Sequence, residues 1–325
     1  MKFVDMHCDT LMKLFYHDDK EMMNTEYTSV NFERMKRGNQ LAQFFAIFIP
    51  PRAEFDEKGF SNISDDEYIN SLKGILDYNV DKHSDIIAHA YTYEDILTNE
   101  KNGKMSSILA IEEGRSVDGK LEKIKKYYDM GVRSLTLTWN FENCFGYPNS
   151  FDESLRAKGL KSFGKEAIQY MQELGMLVDV SHLSDGGIFD CLDILDKPFV
   201  ATHSNARSKT FHPRNLTDDM IRRMGEKGCV SGINFCPAFT TNTDDETKGL
   251  AKDYARHARY MADKGGIEFV GLGTDFDGIG GDLELKYSDQ MYILENALKE
   301  VGFSESDMEK IFYKNVLRLL KDSIK

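Results

Sequence analysis

The sequence contains few prolines and cysteines. Its 325 residues include only six prolines, and no segment has the composition of a Pro-, Gly- or Ser-rich linker. The five cysteines are odd in number, widely scattered and form no CxxC pair: Cys8, Cys144, Cys191, Cys229 and Cys236. This usage argues against a disulfide framework and against a structural zinc knuckle.

The chain is also short of positive charge. It carries 41 basic against 54 acidic residues, for a formal net charge of -13. Binding to nucleic acid or to anionic lipid needs a cationic surface, so we expect neither a nucleic-acid partner nor a membrane partner. A net charge of this sign says more about solubility than about chemistry.

Long apolar runs and targeting signals are missing as well. No apolar run approaches the roughly 20 residues that a transmembrane helix needs. The first residues, MKFVDMHCDT, lack the charged, apolar and cleavage regions of a secretory signal. A cytoplasmic location is therefore the expectation.

Several common catalytic motifs are absent too. The sequence has no GxSxG nucleophile elbow, no HExxH helix, no GxxxxGK[ST] loop and no strand-linked GxGxxG. Serine-hydrolase, zincin-type and nucleotide-dependent chemistry therefore have no motif to support them.

What the sequence does contain is a repeated alternation of buried-strand and amphipathic-helix patterns. Eight short runs rich in Val, Ile, Leu and Phe are predicted strands: Phe3–His7, Ala42–Ile49, Ser107–Glu112, Ser134–Thr138, Leu177–His182, Phe199–His203, Val230–Phe235 and Phe269–Asp275. The helices are predicted at Asp65–His83, Lys120–Met130, Phe163–Leu174, Gly187–Leu195, Asp218–Gly225, Leu250–Lys264, Asp289–Val301 and Ser304–Leu320. Thr217 and Ser304 are predicted N-caps. Eight such units favour a closed (β/α)8 TIM barrel over an open sheet, as one catalytic domain over residues 1–325.

Polar side chains of metal-binding type stand at or just past the ends of five predicted strands. They are His7 with Asp9, Glu112 with Glu113, His182, His203, and Asp275 with Asp277. In a parallel barrel, the carboxyl ends of the strands and the loops after them build the active site. Because a buried strand end is a costly place for an unpaired charge or imidazole, the recurrence indicates one shared site.

Each position also has a simpler interpretation when it is taken alone. His7 and Asp9 could form a strand-end turn with a hydrogen-bonded histidine, and His182 and His203 could be hydrogen-bonded core histidines. Glu112 and Glu113 could be part of a solvated loop, and Asp275 could be a turn former in TDFDG, where a glycine follows. Taken together, five candidate ligands are too many for a single open zinc site and suit two metals that share a carboxylate: His7, Asp9, Glu112, His182 and His203. Asp275 is then the candidate proton carrier.

The order of several motifs resembles the membrane (renal) dipeptidase family over nearly the whole chain. The matching segments are HCDT, AIEEGRS, SLTLTWN, LGMLVDVSH, VATHSNARS, HPRNLTDD and GLGTDFDG. The resemblance implies a (β/α)8 barrel with two zinc ions, a dipeptide substrate and a homodimer.

Carried over to this sequence, the resemblance implies a role for each candidate residue. His7 and Asp9 correspond to ligands of one zinc, His182 and His203 to ligands of the other, and Glu112 to the carboxylate that bridges them. Asp275 corresponds to the catalytic acid and base, and Arg214 in HPRN to the group that binds the carboxylate of a dipeptide. A planar guanidinium suits that task because it donates two parallel hydrogen bonds.

The sequence departs from the family pattern in two places. The family glutamate is usually followed by Gly-Gly-His, whereas Glu112 is followed by Glu113, Gly114 and Arg115. The second departure concerns the best-known members of the family. A histidine thought to stabilise the oxyanion follows LTLT in those members, whereas this chain has Trp139 followed by Asn140. Both are predicted to contact the substrate. An indole N–H donates a hydrogen bond but cannot become cationic. The function predicted first is a binuclear zinc dipeptidase, and the alternative is a metal-dependent lactonase, β-lactam hydrolase or other amidohydrolase on the same barrel.

Overall fold

The main feature of the fold is a closed ring of eight parallel strands. The computed structural model describes residues 1–241 and 247–325. The strands of the ring are β1 Phe3–Cys8, β2 Gln40–Phe48, β3 Met105–Glu112, β4 Val132–Thr136, β5 Leu177–Asp179, β6 Val200–Ala201, β7 Val230–Ile233 and β8 Val270–Leu272. Each strand pairs with the next, and the pairing of β8 with β1 at Leu272 and Asp5 closes the ring. The predicted (β/α)8 barrel is confirmed.

All eight predicted strands are present, but six of them end one to three residues earlier than predicted, and two of these six precede His182 and His203. The strand predicted to reach His182 ends at Asp179, and the strand predicted to reach His203 ends at Ala201. The reason lies in Asp179, whose carboxylate accepts the backbone N–H groups of Ser181 and Thr202 at 3.0 and 2.9 Å. These N–H groups therefore bond to a side chain and not to a neighbouring strand, and both histidines lie on loops.

One strand beside the barrel was missed. Ile87–His89 pairs with the first residues of β3, at Met105–Ser107, where β4 has not yet begun to pair with β3. Three residues between two helices are too few to show a strand pattern in the sequence. A further small sheet joins Lys248–Gly249 to Asp282–Leu283.

The helices lie on the connections between strands. They are α1 Thr10–Tyr16, α2 Phe32–Arg37, α3 Arg52–Glu57, α4 Asp65–Lys82, α5 Tyr93–Lys101, α6 Leu121–Asp129, α7 Glu153–Arg156, α8 Ser162–Leu174, α9 Asp185–Ile194, α10 Asp218–Glu226, α11 Pro237–Thr240, α12 Ala251–Gly265, α13 Met291–Glu300, α14 Glu305–Glu309 and α15 Asn315–Ser323. Short 3₁₀ turns occur at Gly114–Val117, Ile267–Phe269 and Ser288–Gln290, and a π-helical segment at Lys310–Lys314 joins α14 to α15.

Each predicted helix is present within a few residues of its predicted bounds. The one predicted over Ser304–Leu320 is divided into α14, the π-helical segment and α15. Both predicted N-caps are confirmed, since the side chains of Thr217 and Ser304 accept the backbone N–H of Met220 and Asp307 at 3.3 and 3.2 Å. Within the described residues, no helix is long and apolar enough to cross a bilayer.

The apolar core has two parts. In the larger cluster, strand residues such as Ile47 and Leu109 are buried together with residues of the surrounding helices, including Leu72. The smaller cluster combines strand residues with the final helix: Val4, Met6, Phe44, Ile108, Val230, Val316, Leu319 and Leu320. Helix α15 therefore secures the chain end to the barrel strands, while the loops after the strands remain available for a site.

Candidate metal centre

The predicted ligand residues lie together after the carboxyl ends of five barrel strands. His7 is in the last part of β1, and Glu112 is the last residue of β3. Asp9, His182, His203 and Asp275 lie one to three residues beyond the ends of their strands. All six side chains are buried, with at most 9% of any residue exposed. Parallel strands that share one direction bring these distant residues to one mouth of the barrel.

Glu112 stands at the centre of this cluster, and its two carboxylate oxygens face different neighbours. Oε2 lies 3.3 Å from His7 Nε2. Oε1 lies 3.0 Å from His182 Nε2 and 3.5 Å from His203 Nε2. One carboxylate therefore has a separate set of nitrogen neighbours on each oxygen, which is the arrangement that a bridging ligand needs.

On the Oε2 side, His7 gathers two further carboxylates. His7 Nε2 lies 3.4 Å from an oxygen of Asp9 and 3.9 Å from an oxygen of Asp275. This nitrogen is buried without a hydrogen bond of acceptable geometry, and Asp9 Oδ1 is likewise unpaired. Single ligand atoms of His7, Asp9 and Asp275 all lie within 4.8 Å of one another, as do those of His7, Glu112 and His203.

On the Oε1 side, two imidazoles face each other in an unusual way. Their Nε2 atoms are 3.1 Å apart. The Nδ1 of His182 lies 3.1 Å from the side-chain oxygen of Asn140, and the Nδ1 of His203 lies 2.8 Å from Thr202 Oγ1. Since these partners accept a proton from Nδ1, both Nε2 atoms are left with lone pairs. Two lone pairs and a carboxylate oxygen at such distances form a donor set that a metal cation among them would satisfy.

The electrostatics of the cluster support the same conclusion. Burial raises the pKa of Glu112 to about 7 and also raises the pKa of Asp275, although the charge on His7 opposes both shifts. Burial and the nearby charges of Arg214 and His7 hold the pKa of His182 and His203 well below the usual value. The two imidazoles are therefore neutral, which is the form that binds metals.

The pKa of His7 moves in the opposite direction. Burial lowers this pKa, but the charges of Glu112 and Asp9 outweigh burial and raise it well above the usual value. The negative charges of Glu112 and Asp9 therefore stabilise a positive charge in the space around His7 Nε2. Unpaired buried nitrogen and oxygen atoms, neutral imidazoles and crowded carboxylates are a donor set that fits divalent metal ions such as zinc.

Glu113, the other half of the glutamate pair, points elsewhere. Its backbone has φ of 87°, and its carboxylate accepts the backbone N–H groups of Trp139 and Arg115 at 2.7 and 2.8 Å. It also accepts a hydrogen bond from the Asn143 amide at 2.7 Å. Glu113 therefore anchors the loop after β4, and Glu112 is the glutamate that faces the cluster.

Two cluster residues have strained backbones. His182 and Asp275 adopt φ of 67° and 64°, a left-handed region that side chains other than glycine seldom occupy. Such conformations cost free energy and persist where the surroundings enforce them, often at functional sites. Gly278 follows Asp275 closely, and a Cβ there would overlap the Asp9 carboxylate, so this position has no room for a side chain.

An open cavity of about 260 Å³ leads to the cluster. Asp9, Glu112, His182 and Asp275 border its polar part, while its apolar walls come from Met12, Phe48, Trp139, Phe239 and Ile279. The Trp139 ring packs against Phe48 with centroids 4.9 Å apart and lies 6.0 Å from the His182 ring. Both Trp139 and Asn140 thus border this cavity, and their contact with a substrate stays a prediction.

Arg214 is placed less directly. Its guanidinium donates to Ser204 Oγ at 3.0 Å and to the backbone oxygen of His203 at 3.1 Å, and it lies over the Phe239 ring. Its Nε is buried without a partner. Arg214 does not border the cavity itself, and it lies behind Phe239, one of the residues that do.

Residues 1–324 of the 325-residue chain match the family model described as membrane dipeptidase, peptidase family M19. The chain belongs to this family. Membership of the membrane dipeptidase family confirms the resemblance seen in the sequence and makes the protein a hydrolase of metallo-dipeptidase type.

Individual members of the membrane dipeptidase family agree with this assignment. An uncharacterized dipeptidase of Schizosaccharomyces pombe is 30% identical over 341 residues, which cover 98% of this chain and 80% of that protein. A crystal structure of a metallopeptidase called dipeptidase AC is 25% identical, with a TM-score of 0.89 over 100% of this chain and 99% of that one.

A further crystal structure has the same fold. It is a metallopeptidase of Rhodobacter sphaeroides, solved with a phosphinate mimic of the dipeptide L-Ala-D-Ala. It is 24% identical, with a TM-score of 0.89 over 99% of both chains.

In the present protein, some polar residues around the candidate metal centre were not predicted from the sequence. Asn234, which follows β7, donates to Asp275 Oδ2 at 2.8 Å. Thr202 Oγ1 contacts both the Asp179 carboxylate and the Nδ1 of His203. The signal for Asp179 was present in VDVSH, as a carboxylate at a strand end, but its neighbour His182 drew the metal interpretation. Nothing local in the sequence indicates that Asn234 contacts Asp275, because the contact joins two different strands.

Proposed function

We propose that the protein is a binuclear zinc dipeptidase that hydrolyses the peptide bond of dipeptides. The observation that carries the proposal is the position of Glu112, whose two oxygens face two different sets of buried ligand-type side chains. In this proposal His7 and Asp9 hold one ion, His182 and His203 hold the other, and Glu112 holds both. Such a pair, when bound, supplies an acidified water and polarises a carbonyl group.

Asp275 is the residue that we propose to move protons. Asn234 holds one of its oxygens at 2.8 Å, which leaves the other directed toward His7 and Asp9. A carboxylate fixed in this way can accept a proton at Oδ1 and return it to the leaving amine nitrogen. Burial raises the pKa of Asp275, which makes the carboxylate a better base than a solvated aspartate.

The substrate-binding part of the proposal concerns size and charge. A cavity of about 260 Å³ is small and suits a compact ligand. Arg214, buried next to the cavity wall at Phe239, is proposed to attract the carboxylate of the dipeptide, with the guanidinium turning from Ser204 Oγ toward the ligand. Trp139 and Phe48 form an apolar wall that suits an uncharged side chain.

The second candidate function is hydrolysis of a bond other than the peptide bond of a dipeptide. The indole of Trp139 borders the cavity at the position where well-known relatives have a histidine, and the guanidinium of Arg214 does not border the cavity. Both features favour a lactone, a β-lactam or another amide over a free dipeptide. A lactonase, β-lactam hydrolase or other amidohydrolase would use the same metal ligands and the same Asp275.

A panel of substrates tests the proposed function. Zinc-loaded enzyme should hydrolyse dipeptides with a free carboxyl end, and it should leave the matching tripeptides and C-terminally amidated dipeptides almost untouched. Lactones and a β-lactam belong in the same panel. Turnover of a lactone with no turnover of any dipeptide would replace the proposed function by the second candidate.

The carboxylate clamp predicts a specific effect of Arg214→Met. The variant should lose about 30- to 5,000-fold in kcat/KM on free dipeptides, because truncating one partner of a buried charge pair costs roughly 2–5 kcal/mol. Its kcat/KM on the C-terminally amidated dipeptide, which is already low in the wild type, should fall far less. Steady-state kinetics of both substrates on one enzyme preparation separate recognition from general damage to the fold.

An equal loss on the free and the amidated dipeptide would remove Arg214 from substrate recognition. Arg207 offers a matched control, since it lies seven positions earlier and its guanidinium is paired with Asp185 at 2.6 and 2.7 Å. We expect Arg207→Met to leave the ratio between the two substrates unchanged.

Three further predictions accompany the proposed function. We propose that residues 1–325 act as one catalytic domain. A homodimer remains a prediction from the resemblance, and a cytoplasmic location remains a prediction from the sequence.

A further inference from the structure

A buried threonine connects one candidate metal ligand to a carboxylate deep in the barrel. Thr202 Oγ1 lies 2.6 Å from Asp179 Oδ2 and 2.8 Å from His203 Nδ1. Asp179, Thr202 and His203 are each about 1% exposed, so no solvent competes for these hydrogen bonds.

The direction of each hydrogen bond follows from the chemistry of the groups. A carboxylate only accepts, so the single hydroxyl proton of Thr202 is donated to Asp179. The Thr202 oxygen must then accept the proton of His203 Nδ1. Ser181 Oγ, 3.2 Å away, accepts the backbone N–H of His203 and can donate to the same Thr202 oxygen. The position of each proton in this chain of hydrogen bonds is therefore defined: the Thr202 hydroxyl donates to Asp179, and His203 Nδ1 donates to Thr202.

We propose that Asp179, acting through Thr202, is a positioning residue that keeps the proton of His203 on Nδ1 and so leaves the Nε2 lone pair directed at Glu112 Oε1. The inference rests on the proposed function, in which Nε2 of His203 is a metal ligand. Neither Asp179 nor Thr202 is among the proposed metal ligands, and neither borders the cavity. Their effect on metal binding passes entirely through the orientation and tautomer of one imidazole.

The position of Asp179 explains why it can hold the imidazole so firmly. Its Oδ2 also accepts the Thr136 hydroxyl at 2.6 Å, and its Oδ1 accepts the backbone N–H groups of Ser181 and Thr202. The carboxylate is therefore fixed by groups from β4 and from the loops after β5 and β6. These same two loops carry His182 and His203.

The chain offers a matched pair of variants to test this inference. Thr136 and Thr202 both donate to the same oxygen of Asp179 at 2.6 Å, and both are buried. Only Thr202 contacts the imidazole. Replacing either threonine by valine keeps the size of the side chain and removes one hydroxyl from Asp179, but only Thr202→Val removes the partner of His203 Nδ1.

Two measurements should separate the variants. The first is zinc affinity from competition with a chromophoric chelator, in which Thr202→Val should bind one ion about 10- to 100-fold more weakly than Thr136→Val. The second is the tautomer of His203 from long-range ¹⁵N–¹H NMR of metal-free protein labelled at histidine. The wild type and Thr136→Val should carry the proton on Nδ1, and Thr202→Val should shift it toward Nε2. Thr202→Ser should restore both properties.

Equal zinc affinities of the two valine variants would overturn the inference, and so would an unchanged His203 tautomer in Thr202→Val. The NMR result does not need a bound metal. A wild type that binds no zinc, together with a tautomer shift in Thr202→Val, would therefore contradict the proposed function while leaving the positioning role of Asp179 supported.

Discussion

Replacing Glu112 by glutamine should prevent the protein from retaining two zinc ions per chain. It should also lower kcat/KM on dipeptides by at least about 1,000-fold. The carboxylate faces nitrogen ligands on both of its oxygens, so its charge acts on both proposed ions. At an effective dielectric constant of about 20, one unit charge roughly 4 Å from another contributes about 4 kcal/mol, which corresponds to about 1,000-fold in affinity. Zinc analysis after dialysis and initial rates on a dipeptide measure both effects.

The neighbouring residue provides the control for this experiment. Glu113 carries the same side chain, is equally buried and is engaged by the backbone N–H groups of Arg115 and Trp139. Glu113→Gln should destabilise the loop after β4 but retain two zinc ions. If the glutamine variant at 113 lost its zinc while the variant at 112 kept it, the assignment of the facing glutamate would be wrong.

Replacing Asp275 by asparagine should separate metal binding from turnover. Asparagine has the same shape and can still interact with Asn234, but it cannot carry a proton between water and the leaving amine. We expect kcat to fall by about 10²- to 10⁴-fold, the usual contribution of a general acid–base residue. The zinc content should stay near that of the wild type, as measured by elemental analysis of the same preparation.

Asp277 is a suitable comparison because it lies two residues further on and shares the left-handed backbone, with φ of 70°. Its carboxylate accepts the hydroxyl of Thr10 at 2.6 Å and the backbone N–H of Ser29 at 2.7 Å. Asp277→Asn should lower the melting temperature and should leave kcat close to that of the wild type. A variant at 275 that lost one zinc ion would make Asp275 a metal ligand and not a proton carrier.

The positions of the barrel and of the candidate ligands could be predicted from the sequence for a simple geometric reason. Buried parallel strands are nearly continuous apolar runs, so a histidine or carboxylate at the end of such a run stands out. Strand direction then requires all these ends to lie at one mouth of the barrel. His7, Glu112 and His203 were therefore predictable as neighbours although they are far apart in the chain.

Other features depend on contacts that a single sequence does not display. The loops after β5 and β6 begin early because the Asp179 carboxylate accepts backbone N–H groups of Ser181 and Thr202, the latter from a different βα unit of the barrel, and that is a tertiary interaction. The sequence predicts a substrate contact for Asn140 and no contact with His182, whereas in the structure the Asn140 side-chain oxygen lies 3.1 Å from His182 Nδ1. Only the folded chain reveals that Asn140 and Thr202 occupy equivalent places beside the two facing imidazoles.

The direct test of the metal centre is the number of zinc ions bound per chain. Bound metal would be removed from the purified protein with a chelator, and the protein would be titrated with zinc and freed of excess metal. Its zinc content would then be measured by inductively coupled plasma mass spectrometry. Convergence of His7, Asp9, Glu112, His182 and His203 predicts two ions per chain, both retained at neutral pH. A chain that retains one ion, or none, in fully folded protein would contradict the shared role of Glu112.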